Sequence, residues 1–177
     1  MNVKVLSSQD LSFADLYFEE FGESQKSWAA SPKSLIYCGD LIQSQKISSV
    51  LDAGSGLSSY YFHSNFENVS TIDDDPYWAS RTQAFVEKNL EKKIAITDLA
   101  SVRDKKFDLV FYDYGNMETR IYNFLPALNT CRRFFYVDDV HVPFYREYVH
   151  ARCKEYNIQF LPGTRDQYGR YGALIRI

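Results

Sequence analysis

Val50-Leu51-Asp52-Ala53-Gly54-Ser55-Gly56-Leu57-Ser58-Ser59 carries the most informative local pattern in the chain. An apolar run over residues 47–52 reads as a buried strand. It stops at two glycines one residue apart, and a helix opens at Ser58. Gly54 and Gly56 let the backbone turn tightly and approach a ligand closely. The free N–H groups at the start of the helix favour a carboxylate or phosphate. A dinucleotide fingerprint needs a third glycine for close helix–strand packing. Ser59 stands at that place, which disfavours a nucleotide-dependent oxidoreductase.

Beyond this stretch, strand and helix patterns alternate. Strands are expected over residues 69–73, 94–97, 107–113, 134–138, 158–161 and 173–177. Helices fall between them. One begins at the cap pair Asp75-Pro76, one carries Met117, Ile121, Phe124, Leu125 and Leu128, and one runs from Pro143 to Tyr156. Short connections in this order predict an α/β fold, a Rossmann-like doubly wound sheet of seven mostly parallel strands. Two earlier helices, one carrying Leu11, Ala14, Phe18 and Phe21 and one opening at Ser31-Pro32, form an N-terminal helical extension. Residues 1–46 are expected to be that extension, and residues 47–177 one compact unit. Such sheets bind ligands outside the carboxyl ends of their strands. Asp52, Asp73, Asp98, Asp113, Asp138 and Asp139 fall at those ends.

The composition agrees with a globular chain. Of 177 residues, 45% are hydrophobic and 24% charged, which excludes disorder as the main state. The net charge of −3 argues against a dedicated nucleic-acid binder. Cys38, Cys131 and Cys153 are odd in number and show no metal-ligand spacing, so free thiols in a reducing, cytoplasmic setting are expected. The N-terminus has no signal-peptide pattern, and no apolar run is long enough to span a membrane. Fourteen tyrosines suggest a stacking pocket or an interface, a homo-oligomer included, beside ordinary packing.

The run from Val50 to Gly56 resembles motif I of the class I S-adenosylmethionine-dependent methyltransferases. SVLDAGSGLSSYYF is similar to a subgroup in which Gly-Ser-Gly-Leu-Ser-Ser opens the first helix, and Ser27–Pro32 resembles that subgroup's lead-in. Thr71-Ile72-Asp73-Asp74-Asp75-Pro76-Tyr77-Trp78 resembles the family's segment after the second strand. The resemblance implies that Asp52, Gly54, Ser55 and Gly56 serve the methionine end of the donor. It implies further that Asp73 holds the ribose, Asp74 lies beside the adenosine and Asp98 meets the adenine amino group. Residues 107–113 resemble motif IV, which turns Asp113 toward the donor and the acceptor. Asp113-Tyr114-Gly115-Asn116 lacks the prolines of amino methyltransferases that act on bases.

Asp113 with Asp138-Asp139 also resembles the acidic cluster of the catechol-type O-methyltransferases, which implies Mg²⁺ held by Asp113, Asp138 and Asp139. That family places a lysine base where this chain has Asn116. His141, just past the acid pair, is then the general-base candidate, with Asp113 and Asp139 as its catalytic companions. Arg170, in a polar segment between the last strands, reaches either an acidic strand end or an anionic substrate. The resemblance implies methyl transfer from S-adenosylmethionine to an oxygen or nitrogen of a small molecule or an exposed side chain, in preference to nucleic acid. The alternative is a non-catalytic protein that keeps the nucleoside pocket as a sensor or partner subunit.

Overall fold

The computed structural model describes residues 11–22 and 28–177. The leader over residues 1–10, and Ser27 of the lead-in, lie outside the described residues. Seven strands form one sheet: β1 (Val50–Ala53), β2 (Val69–Ile72), β3 (Ile96–Thr97), β4 (Phe107–Tyr112), β5 (Cys131–Val137), β6 (Asn157–Phe160) and β7 (Ala173–Arg176). Their order is β3-β2-β1-β4-β5-β7-β6. All neighbours from β3 through β5 are parallel, and β7 runs antiparallel to both β5 and β6. The expected mostly parallel sheet is present.

The helices are α1 (Ser12–Phe21), α2 (Pro32–Ser44), α3 (Leu57–Asn65), α4 (Pro76–Leu90), α5 (Met117–Leu128) and α6 (Pro143–Arg152). The pleat of the central strands sorts them into two layers. Leu109, Phe111, Phe134 and Tyr136 face one core with α1 to α4, where the Phe111 and Tyr136 rings stack 5.0 Å apart. Val110, Tyr112, Phe135 and Val137 face the other core with α5 and α6. The described part of the N-terminal extension shares the first core, through Phe13, Tyr17, Leu35 and Cys38.

Several boundaries differ from the sequence expectation. β1 begins at Val50, because the Ser48 amide and hydroxyl both donate to Asp108 Oδ2, at 2.9 and 2.5 Å, and turn the preceding segment away. β1 also ends at Ala53, which places Asp52 inside the strand instead of at its end. α1 buries Phe13, Ala14, Tyr17 and Phe21, and leaves Leu11 exposed. α6 stops at Arg152, short of Tyr156. Asp75-Pro76 is a cap pair as expected, with Asp75 Oδ1 accepting from the amides of Tyr77 and Trp78.

Gly54 has φ +103°, and a Cβ there would collide with the carbonyl of Asp113 at the end of β4. Gly54→Ala should therefore cost about 2 kcal/mol or more and lower Tm by at least about 5 °C. Gly163→Ala, with open space around it, should stay within about 0.5 kcal/mol of the parent in the same melting experiment.

Candidate active site

From β1 the chain continues to β2 on one side, while β4 lies on the other. The loops leaving β1 and β4 therefore part, and this is where a doubly wound sheet opens its crevice. A cleft of about 520 Å³ lies there, with Gly54, Ser55, Gly56, Asp73, Asp74 and Asp113 in its wall. Leu57 and Ser58 bring the first turn of α3 to it, where amides have no intrahelical carbonyl to meet. Tyr17 of α1 and Trp28 close it from the N-terminal side.

Asp52 is not in this wall. It is fully buried on the α3 side of the sheet, where Oδ2 accepts from Ser59 Oγ at 2.6 Å and Thr71 Oγ1 at 3.2 Å. Ser59 Oγ also accepts from the Gly56 amide at 3.1 Å. The residue in place of a third glycine thus ties the turn to the buried acid. Burial lifts the Asp52 carboxyl to about 7, against the pull of its hydroxyl donors. Thr71 is shared with His63 Nε2 at 3.1 Å, and burial lowers that imidazole to about 4.

Asp73 closes the other side of the turn. Its Oδ2 accepts from both the amide and the hydroxyl of Ser55, each at 2.6 Å, and Oδ1 accepts from the Asp75 amide at 2.9 Å. Asp74 lies over Gly115, its carboxyl oxygens 2.9 Å from where a Cβ would be, and burial raises its carboxyl, helped by Asp73. Asp98 is outside the cleft wall. It caps a 3₁₀ turn, accepting from the Ser101 amide at 2.9 Å. The buried Tyr114 lies near Asp73, Asp74 and Asp98, and burial raises its phenol.

At the ends of β4 and β5 the expected companions do meet, around a residue that was not expected. Arg120 of α5 donates from Nη2 to Asp113 Oδ1 and from Nη1 to Asp139 Oδ2, the latter at 2.9 Å. It lines the cleft and is 6% exposed. Asp139 reaches it from a left-handed backbone conformation, φ +60°. Burial lifts the Asp113 carboxyl to about 6; Arg120 opposes the rise and Asp139 adds to it. Burial pushes Asp138 well above the carboxylate range, and its Oδ1 meets no donor among the described residues.

The metal expectation does not fit this donor set. Among the described residues no three acidic, histidine or cysteine side chains group as a metal ion requires. Asp113 and Asp139 instead hold opposite arms of one guanidinium, and the buried Asp138 makes no ion pair with it among the described residues. Asn116, at the place of the family lysine, caps α5 by accepting from the Thr119 amide at 3.0 Å. His141 Nδ1 lies 3.5 Å from Asp139 Oδ1 but is outside the cleft wall. Arg170 pairs with Asp166 at 2.6 Å, and its charge also reaches Asp113.

Sequence reasoning missed Arg120, Tyr17 and the part played by Trp78, whose indole donates to the Ser55 carbonyl at 2.7 Å. Arg120 left a signal. It falls three residues after Met117 and four before Phe124, on the apolar face of its helix, where a charge needs a partner. Tyr17 shares a helical face with Ala14 and Phe21, which marks it as buried but says nothing of a cleft.

No family model matches the chain, and no curated protein matches its sequence. Solved structures do share its fold. An O-methyltransferase from Bacillus cereus in complex with SAH is 16% identical, with TM-score 0.71 over 97% of this chain and 92% of that one. The O-methyltransferase TomG from Streptomyces achromogenes in complex with SAM is 17% identical, with TM-score 0.66 over 96% and 90%. The SAH-bound methyltransferase PaMTH1 from Podospora anserina is 11% identical, with TM-score 0.65 over 95% and 88%. The chain has the Rossmann-like fold of these methyltransferases.

The buried Asp52 couples stability to pH. Its folded value lies above its unfolded one, so its contribution to stability is complete below about pH 4 and is lost as pH rises toward about 7. Asp52→Asn removes that titration. The variant's stability relative to the parent should climb steadily between those limits in denaturant melts, and a constant difference would contradict the assignment.

Proposed function

We propose that the chain transfers a methyl group from S-adenosylmethionine to an oxygen or nitrogen of a small molecule or an exposed side chain. One observation carries the reading. The glycine turn, the start of α3, Asp73 and Asp113 share a single cleft at the switch point of the sheet. The fold, shared with structures described as SAM and SAH complexes, supports it. When bound, the donor supplies a methyl group already activated on a sulfonium.

The chain's own residues then have distinct tasks. The turn Gly54–Gly56 and the first amides of α3 receive the carboxylate end of the donor. Asp73 accepts from the ribose hydroxyls; a carboxylate has about four acceptor sites, and three are engaged by Ser55 and Asp75. Rotation of the Ser55 hydroxyl off Oδ2 frees the second site that a vicinal diol needs. Asp74, over Gly115, bounds the adenosine end. Asp113 is the better base than His141, because it lines the cleft and its carboxyl, lifted to about 6, is poised to take a proton near neutral pH. The charged residues of the wall are Asp73, Asp74, Asp75, Asp113 and Arg120, a balance that suits a cationic donor.

S-adenosylhomocysteine should raise Tm, since a ligand that binds only the native state stabilises it. Asp73→Ala should remove most of that shift. Stabilisation by NAD and not by S-adenosylhomocysteine would overturn the reading. Once an acceptor screen supplies a substrate, Asp113→Asn should lower turnover by at least about 10²-fold, and the parent's rate should fall below about pH 6 as Asp113 is protonated. His141→Ala should stay within a few-fold of the parent. A loss at His141 as large as that at Asp113 would return the base role to the imidazole.

A further inference from the structure

We infer that Arg120 is the permanent cation of the acceptor end, standing between Asp113 and Asp139 where a metal-dependent relative would hold a divalent ion. The inference rests on the methyl-transfer reading for its chemical meaning, and its geometry stands alone. Asp113 follows β4 and Asp139 follows β5 by two residues, and these strands are paired neighbours, so their carboxylates reach the same rim. Arg120 spans them with two different nitrogens, and Nη2 also reaches the Gly115 carbonyl at 3.3 Å. This is a planar fork holding two oxygens apart. Mg²⁺ needs oxygens gathered about one point at roughly 2.0–2.1 Å. A guanidinium set between the same carboxylates engages one oxygen of each and occupies the space between them.

The fork is deeply buried, and an arginine stays charged at every working pH. The site therefore carries its cation independently of metal supply. Two consequences follow for the acceptor. Asp113 is held in one orientation with its second oxygen left for a proton, which makes Arg120 a positioning residue. Recognition through chelation of two neighbouring oxygens is also unavailable here. The acceptor class is then a single hydroxyl or an amine, with no requirement for an adjacent second oxygen.

Calorimetry and melting with MgCl₂ test this on the parent, Arg120→Ala and Arg120→Lys, with S-adenosylhomocysteine as a separate probe of the donor end. The parent and Arg120→Lys should give no Mg²⁺ binding and no Tm shift. Arg120→Ala should gain a Mg²⁺ site that Asp139→Asn abolishes in the same background, with Tm raised by about 3 °C at tenfold saturation. Low millimolar guanidinium should also raise the Tm of Arg120→Ala above a matched NaCl control. Mg²⁺ binding by the parent that Asp139→Asn removes would overturn the inference. So would a folded Arg120→Ala that takes up neither Mg²⁺ nor guanidinium. Should Arg120→Ala fail to fold, the parent and Arg120→Lys decide, and Mg²⁺ stabilisation of either overturns it. An absent response of the parent to S-adenosylhomocysteine would count against the donor reading alone, and leaves the Mg²⁺ comparison legible.

Discussion

The site depends on the stitching of the β1 turn to its two neighbours. The Gly54 amide donates to the Ile72 carbonyl at 2.9 Å, and the Asp113 amide donates to the Ala53 carbonyl at 2.7 Å. Asp73 then takes both donors of Ser55. These bonds bring the ends of β2, β1 and β4 so close that no side chain fits at Gly54. The cleft is what remains above this junction. Its glycine turn is held from below by Asp52 through Ser59, and from the side by Asp73 and the Trp78 indole.

Burial divides the rim's carboxyl groups into different kinds of acid. Asp52 and Asp138 are wholly inside, and desolvation raises both; each keeps an oxygen with no donor among the described residues. Asp113 is half-buried beside a guanidinium, so desolvation and charge pairing oppose each other, and its carboxyl is raised to about 6. Asp73 spends its acceptors on backbone and hydroxyl donors at the cleft wall. One residue type thus supplies a buried anchor and, under the proposed function, a proton acceptor and a diol receptor. The difference is made by what surrounds each side chain.

Most of the architecture was legible in the sequence because it follows from local periodicity. The strand and helix alternation, the glycine turn and the Asp75-Pro76 cap are each written within a few residues. The structure departs from the sequence reading where a side chain's place depended on pleat parity or on distant partners. Asp52 looked like a strand-end acid, but β1 continues one residue further, so the side chain points to a face and under α3. Asp113, Asp138 and Asp139 looked like a metal cluster because spacing reports the acids on two adjacent strands and not the arginine that a following helix brings between them. Asp98 matched a family position, yet its side chain is spent on capping a 3₁₀ turn.

Under the proposed function, Asp73 and the glycine turn receive a nucleoside through its ribose. Calorimetry comparing S-adenosylhomocysteine with its 2′,3′-dideoxy analogue tests this most directly. Each hydrogen bond to a charged acceptor contributes about 1.5–3 kcal/mol, so losing both hydroxyls should weaken binding by at least about 10²-fold in the parent. In Asp73→Ala the two ligands should bind alike. Equal affinity of the parent for both ligands would show that Asp73 does not hold the ribose.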